Sequence, residues 1–362
     1  MIWDYVIVGS GLTGSVIARR LHDSGYKVLI VERRSHWGGN VHDSTHPCGI
    51  PIHTYGPHYF RTGSNVIWDF VNRFSSFTGF EAELRSEVDS GFEHWPVTIG
   101  YIKRLVGESW QPSFKGDPNN LEEASLAIMP RIIYEKFIKE YNEKQWGMPA
   151  TALPASLARR FVVRHDNETR LTPLKYQGIP RDGYTAMMKN MLKGIPLLLN
   201  CDFLSNREAF IFKHRLIYTG PIDEFFDYSL GRLEWRAQSR EHEYLPDLDY
   251  ALPCVQVNNP SHARGKHIRT LEWKHMLPSL YASKIQGTVI TRETTYSPNN
   301  PDNYEYPVPT AMNRSLHAMY MERAKTMPEL VVAGRLGEYR YYDMDQAIAK
   351  ALTIAKKLLE RG

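Results

Sequence analysis

Hydrophobic and polar positions change period several times along the chain, and each change marks an element. Asp4-Tyr5-Val6-Ile7-Val8 is a short apolar run that ends in glycine, the pattern of a buried parallel strand. Over residues 12–24, Leu12, Val16, Ile17 and Leu21 recur at helical spacing, and Ser24-Gly25 stops the helix. Lys27-Val28-Leu29-Ile30-Val31-Glu32 is a second strand, so the chain opens on a βαβ start of about 30 residues. Residues 66–73 predict a helix with Val66, Ile67, Phe70 and Val71 on one face. Residues 80–100 alternate weakly around Trp95-Pro96 and predict short strands.

From 118 to 162 the pattern is largely helical. Glu122, Glu123 and Ala124 begin it, and Ile128, Ile132, Ile133, Phe137 and Tyr141 continue it. Pro130, Pro149 and Pro154 kink it or break it into pieces. Residues 195–200 and 215–219 predict buried strands. Residues 250–312 hold β-rich runs separated by Asn/Pro turns such as Ser297-Pro298-Asn299-Asn300-Pro301, the signature of an antiparallel sheet. Leu330-Val331-Val332-Ala333 is a last strand, and a long helix runs from about 343 to 360. This strand and helix are expected to rejoin the first sheet.

Composition narrows the function classes. A chain of 362 residues, 42% hydrophobic and 23% charged, buries a sizeable core without staples or metals and suggests two or three domains. The formal charge of +4, from 44 basic and 40 acidic side chains, argues for no polyanionic partner and no nucleic acid. Cys48, Cys201 and Cys254 are sparse and odd in number, which suits a reducing cytosol. No apolar run approaches the roughly 18 residues of a membrane span, and no leader pattern precedes the first strand. The expectation is a soluble, cytoplasmic protein.

Gly9-Ser10-Gly11-Leu12-Thr13-Gly14 lies between the first strand and the first helix. Such glycines allow a tight turn, close approach of backbone to a pyrophosphate, and close packing of helix on strand. The helix N-terminus then presents unpaired N–H groups to the phosphates. Glu32 ends the second strand 23 residues after Gly9, where a carboxylate accepts ribose hydroxyls. FAD and NAD share this fingerprint. The second strand runs on into Glu32-Arg33-Arg34-Ser35-His36-Trp37-Gly38-Gly39-Asn40, which resembles the FAD-binding extension of amine-oxidase-like flavoproteins.

The resemblance then becomes more specific. Tyr55-Gly56-Pro57-His58-Tyr59-Phe60 and Tyr141-Asn142-Glu143-Lys144-Gln145-Trp146-Gly147 resemble two motifs of UDP-galactopyranose mutases. Leu153-Pro154-Ala155-Ser156, Val163-Arg164, Tyr176-Gln177-Gly178-Ile179-Pro180, Gly183-Tyr184-Thr185 and Thr219-Gly220-Pro221-Ile222-Asp223 stand at family spacing. The most specific match is Gly334-Arg335-Leu336-Gly337-Glu338-Tyr339-Arg340-Tyr341-Tyr342-Asp343-Met344-Asp345. The resemblance implies an α/β fold: an FAD-binding Rossmann-like domain with an inserted helical domain and an antiparallel β-sheet domain. The expected FAD-binding domain is discontinuous, 1–80 with 195–240 and 325–362. A mainly helical substrate or lid domain is expected at 100–190, and the sheet domain at 81–99 with 241–324.

The resemblance also implies redox-neutral isomerisation of a nucleotide-linked hexopyranose to its furanose form, as used for cell-surface polysaccharides. N5 of reduced FAD attacks the anomeric carbon and displaces the nucleoside diphosphate, after which the sugar ring opens and recloses. NAD(P)H or another reductant would reduce the flavin, and the family implies a homodimer. By resemblance, Arg164 and Arg269 are the phosphate arginines, because guanidinium forks stabilise a developing diphosphate. Tyr306, Tyr341 and Tyr176 add phenolic donors, and Asp343 stands beside that network. Tyr141 stacks on the nucleobase with Phe137 nearby, Trp146 lines the sugar pocket, and Asn259 joins the substrate set. His58 lies near the flavin and counts with Arg164 and Arg269 as catalytic. The cofactor set is Gly9, Gly11, Leu12, Thr13, Gly14, Glu32, Arg33, Gly39, Asn40, His58, Arg335, Asp343 and Met344. His42, His46, Cys48, His53 and His58 crowd one region, but their spacing matches no standard zinc pattern.

Several positions depart from the family. Its Phe-His-Thr is Phe60-Arg61-Thr62, a permanent cation in place of an imidazole. Its Val-Arg-Phe is Val163-Arg164-His165, its Asn-Tyr-Phe is Arg170-Leu171-Thr172, and the threonine after the stacking tyrosine is Asn142. These changes cluster at the substrate loop, so UDP-N-acetylgalactosamine or a dTDP-6-deoxyhexose stands beside UDP-galactopyranose as substrate. A flavin amine oxidase and a non-catalytic nucleotide-binding protein are the remaining alternatives. The paired arginines and the tyrosine set disfavour the first, and the intact fingerprint disfavours the second.

Overall fold

The computed structural model describes residues 1–166 and 168–360. Two sheets organise them. The first has five parallel strands in the order Leu330–Val332, Ile211–Tyr218, Ile2–Val8, Val28–Val31 and Leu197–Leu198. Side chains alternate across this sheet with period two. Tyr5, Ile7, Val28 and Ile30 face helix Leu12–Asp23 and the closing helix Met344–Leu359. Val6, Leu29, Val31 and Leu216 face the opposite way, toward Phe225, Tyr320 and Ala324. Both faces are covered, which is why these strands read as continuous apolar runs. The last strand and helix do rejoin the first sheet.

The second sheet has seven strands, in the order Tyr306–Pro307, Trp235–Leu245, Thr288–Tyr296, Arg269–Glu272, Gln256–Asn258, Leu84–Val88 and Gly91–Trp95. All its pairings are antiparallel except Gln256–Asn258 with Leu84–Ser86, which run parallel. Its longest pairing runs unbroken from Ala237 opposite Tyr296 to Leu245 opposite Thr288. A third core, under the insertion, gathers Ile102, Leu121, Met129, Ile133, Phe137, Ile138 and Trp146. Its helices are short: Leu121–Leu126, Arg131–Ile133 and Glu140–Trp146, with a π-helical turn over Tyr134–Lys139. Such turns displace a helix face by one residue and recur at functional sites.

The structure redraws three expected boundaries. Strand Trp235–Leu245 enters the antiparallel sheet at Trp235, because Trp235 and Arg236 already pair with Pro307 and Tyr306. Helix Ala311–Lys325 packs with the nucleotide-side sheet, since Tyr320 and Ala324 lie in the core beneath Leu330. Helix Gly183–Met191 sends Tyr184, Met187, Met188 and Met191 into the core of helix Leu12–Asp23 and not into the insertion.

Trp273 joins the seven-stranded sheet to the site. It is fully buried among Ile52, Leu84, Leu271 and Val289, its indole N–H donates to Thr291 Oγ1 at 2.6 Å, and its ring lies 5.2 Å from that of His53. Trp273→Ala should destabilise the protein by about 3–5 kcal/mol in denaturant unfolding. A loss near zero would mean that this core repacks around the gap.

Candidate active site

The glycine fingerprint forms a turn between the central strand and helix Leu12–Asp23. Gly14 packs against the turn itself: a Cβ there would stand 2.1 Å from the Gly9 carbonyl oxygen, so only glycine lets helix and strand meet. The helix begins at Gly11 without a side-chain cap, which leaves its first N–H groups for an anion. Glu32 accepts from the Ser10 N–H at 2.9 Å, the Ser10 hydroxyl at 2.8 Å and the Arg34 N–H at 2.9 Å. Two carboxylate oxygens retain further acceptor capacity.

Gly9, Gly11, Leu12, Thr13, Gly14, Glu32, Arg33, Gly39, Asn40, His58, Arg335 and Met344 line one continuous cavity. Tyr218 lines it too, and its buried hydroxyl has no partner among the described residues. An uncapped helix N-terminus, a cradle without Cβ atoms, a buried carboxylate and an orphaned phenol fit a dinucleotide. Arg33 is already held by Glu224 in a two-bond pair at 2.8 and 2.5 Å, so its charge is neutralised within the protein.

A second cavity of about 580 Å³ opens beside the first. Asn40, His58, Arg335 and Met344 line both and form the seam. Five arginines (Arg61, Arg159, Arg160, Arg269 and Arg335) face two carboxylates (Glu305 and Asp343) in this second cavity, an arrangement suited to a polyanion. Tyr306 and Tyr341 stack with centroids 6.0 Å apart. The Tyr341 ring has Arg160 4.4 Å and Arg335 4.8 Å from its centroid, and its hydroxyl donates to Asp343 at 3.3 Å. Arg61 pairs with Asp343 at 3.5 Å.

Sheet register sets Arg269. Arg240, Glu293 and Arg269 are direct neighbours across three adjacent strands. Glu293, with no exposure, accepts from Arg240 Nε at 2.8 Å and from Arg269 Nε. Arg240 continues the row with a two-bond pair to Glu305, both bonds 2.9 Å. Burial alone would raise the Glu293 carboxyl, but the Arg269 and Arg240 guanidiniums together outweigh it and hold it below the usual range. At Glu305 burial outweighs the Arg240 guanidinium and pushes the carboxyl up. Gly56 lies directly on this row. Its φ is +87°, and a Cβ there would stand 2.8 Å from Glu293 Oε1 and 2.9 Å from Arg240 Nη2.

His58 comes two residues later. Its Nδ1 lies 2.7 Å from the Gly56 carbonyl, which can only accept, so the proton sits on Nδ1 and Nε2 is left as an acceptor. Its backbone N–H donates to His53 Nδ1 at 3.0 Å, which fixes the other tautomer on His53. Burial drives both imidazoles toward the neutral form. His53 falls to about 4, and His58, which also feels His53 and Arg335, falls well below its ordinary value.

Among the expected substrate and catalytic residues, Phe137, Tyr141, Trp146, Tyr306, Tyr341, Asp343, Arg269 and His58 line the second cavity together. Asp343, expected also at the cofactor, lines only this one. Three others lie elsewhere. Arg164 is turned inward: its backbone pairs with Val97 and Ile99, and Nη2 donates to the carbonyls of Arg170 and Leu171 at 3.2 and 3.1 Å. Arg160, four residues earlier, occupies the cavity instead. Tyr176 stacks on Trp68 at 5.0 Å and donates to Asn65 at 2.7 Å. Asn259 ties its own loop, donating to the His267 carbonyl at 3.0 Å and accepting from the Ser261 N–H at 3.1 Å, while its neighbour Asn258 lines the cavity. Of the departures, Arg61, Asn142 and Leu171 line the cavity, and His165 is exposed. Gln145, inside the Tyr141–Gly147 motif, is a cavity residue to which sequence reasoning gave no role.

The sequence model of the family described as UDP-galactopyranose mutase matches residues 136–341, and that of an NAD(P)-binding Rossmann-like domain matches residues 7–74. The chain is 32% identical over 370 residues to a probable UDP-galactopyranose mutase of Klebsiella pneumoniae, covering 98% of this chain and 94% of that protein. It is also 32% identical over 376 residues to a dTDP-fucopyranose mutase of Escherichia coli, covering 99% and 98%. Among solved structures, reduced UDP-galactopyranose mutase matches with a TM-score of 0.78 over 100% of this chain and 95% of that one. At 14% identity that likeness concerns the fold.

Two measurements test this geometry. Gly14→Ala should strip flavin from the purified protein, read as absorbance per chain, because the added Cβ forces the helix off the turn; full flavin content would refute the packing argument. The second concerns acid. Unfolded histidines protonate near 6.5 while folded His53 stays neutral to about 4, so the unfolded chain binds more protons in that window. Stability is therefore expected to fall as pH drops from about 6.5 toward 4, with His53→Gln flattening part of the slope in thermal melts. A wild-type melting temperature independent of pH over this window would contradict the buried, neutral assignment.

Proposed function

The chain belongs to the UDP-galactopyranose mutase family of flavin-dependent isomerases, and from that premise we propose that it interconverts UDP-galactopyranose and UDP-galactofuranose without net redox change. The observation that carries this reading is the seam: a cavity with five arginines opens directly onto the dinucleotide cavity through Asn40, His58, Arg335 and Met344. An amine oxidase would need an apolar substrate chamber there. FAD would be held by the cavity that Gly9, Gly11, Gly14, Glu32 and Asn40 line, and in its reduced form would supply a nucleophile for the anomeric carbon of the sugar.

The chain's own residues do the rest. Arg269 and Arg160 bind the diphosphate and stabilise the charge that grows as it departs. The Tyr306 and Tyr341 hydroxyls add donors, and the guanidiniums of Arg160 and Arg335 beside the Tyr341 ring hold that ring in place. Tyr141, half-buried beside Arg269, stacks on the nucleobase with Phe137 at its flank. His58 offers a neutral Nε2 at the seam, an acceptor for a sugar hydroxyl or flavin N–H. Leu157, Phe161 and Val162 close the cavity side that the segment after Pro154 forms, and so exclude water.

A second substrate is favoured by two observations. The dTDP-fucopyranose mutase relative is as similar as the UDP-galactopyranose mutase one. Arg61, paired with Asp343, also puts a fixed cation at the cavity wall. The same chemistry on a dTDP-6-deoxyhexose or on UDP-N-acetylgalactosamine is the alternative.

The test incubates dithionite-reduced protein with UDP-galactopyranose, UDP-N-acetylgalactosamine and a dTDP-6-deoxyhexose, and separates pyranose from furanose by chromatography. A furanose peak that requires reduced flavin is expected. Bound, reducible flavin with no product from any of the three would overturn the reading. Within an active protein, Arg160→Lys and Arg269→Lys should each lower kcat/KM about 10²-fold with flavin content unchanged. Arg164→Lys should lower it far less; the reverse ranking would restore Arg164 to the phosphate site.

A further inference from the structure

Gln145 stands on helix Glu140–Trp146, one turn after Tyr141, and lines the second cavity. It is more than nine-tenths buried, and its amide Nε2 has no hydrogen-bond partner among the described residues. A buried amide N–H without a partner is costly, and a ligand acceptor would satisfy it.

The identity of that free atom is fixed from behind. Arg269 Nη2 lies 2.9 Å from one amide atom of Gln238, and Arg240 Nη2 lies 3.5 Å from the same atom. Guanidiniums only donate, so this atom must be the Gln238 oxygen. Gln238 therefore presents its nitrogen to Gln145, and the atom it meets at 3.4 Å must be the Gln145 oxygen. By elimination the nitrogen is the unpartnered amide atom of Gln145, a buried atom on a residue that lines the cavity. The two arginines of the buried row thus dictate, through one intervening amide, that this wall donates and does not accept.

We propose that Gln145 Nε2 donates to a phosphoryl oxygen of the substrate's diphosphate, and that Gln238 is the positioning residue that locks this polarity to Arg269. The proposal rests on reading the cavity as a nucleotide-sugar site. A phosphoryl oxygen is the acceptor of choice because one intervening residue links the amide to Arg269, a guanidinium of the same cavity whose charge suits an anion.

The test titrates flavin-loaded, full-length protein with UDP, dTDP and the matching nucleosides by calorimetry. Gln145→Met keeps the shape and removes the donor. It should weaken nucleoside diphosphate binding by about tenfold, the value of a hydrogen bond to a charged group, and leave nucleoside binding unchanged. Unchanged diphosphate affinity, or equal weakening of diphosphate and nucleoside, would overturn the assignment; the second result would place the amide on the base. Gln145→Glu, which still accepts from Gln238 but presents an anion, should weaken the diphosphates further and serves if the methionine variant loses its flavin. Gln238→Glu keeps an acceptor for both arginines but removes the donor to Gln145, so Gln145 turns its nitrogen away from the cavity. Its cost should shrink in the Gln145→Met background, and full additivity would overturn the relay. Wild-type protein that binds neither diphosphate would instead sink the nucleotide-sugar reading itself.

Discussion

The site depends on one buried row of charge. Arg240, Glu293 and Arg269 lie side by side on three adjacent strands, and Glu305 closes the row. A buried guanidinium is tolerable only when paired and hydrogen-bonded. Glu293 meets that condition for two arginines at once, and the sheet register fixes where both point. With Nε given to Glu293 and an Nη2 proton given to Gln238, Arg269 keeps further donors for the cavity. Its guanidinium is thus held in place at the cavity wall, as the proposed diphosphate site requires.

The rest of the site is arranged around that row. Gly56 lets the Tyr55–Phe60 segment lie flat on it, which places the His58 imidazole at the seam of the two cavities. Lys144 ties helix Glu140–Trp146 to the loop before Arg269 by donating to the carbonyls of Asn259, Ser261 and His267 at 3.2, 2.6 and 3.1 Å. The helix that carries Tyr141, Gln145 and Trp146 is therefore registered against the strand that carries Arg269. The nucleotide-side sheet contributes the other half, with its glycine turn and Glu32 opening onto the same seam. The two cavities, one beside the glycine turn and one beside the buried row, share Asn40, His58, Arg335 and Met344.

The sequence made the nucleotide half legible because its signals are local: a strand period, a glycine turn and an acidic residue within one βαβ unit. The site was legible where a motif carries its own geometry, as at Tyr55–Phe60 and Gly334–Asp345. It was illegible where orientation is set from far along the chain. Arg160 and Arg164 are four residues apart in one segment. What turns Arg164 inward is backbone pairing with Val97 and Ile99, which no local period reveals. Tyr176 is removed from the cavity by the pairing of Tyr176–Gly178 with Phe60–Thr62 and by the Trp68 ring beneath it. The proposed role of Gln145 needed the hydrogen-bond chain through Gln238, which joins three separate elements.

The most direct test of this account is the affinity of flavin-loaded Glu293→Gln for UDP. Glu293 is wholly buried and does not line the cavity, so it acts only through Arg269 and Arg240. By charge alone, removing a carboxylate beside an anion site should tighten UDP. If the buried row is what aims Arg269, UDP should instead bind about tenfold weaker or worse while flavin stays bound. Unchanged or tighter binding would contradict the claim that Glu293 organises the site.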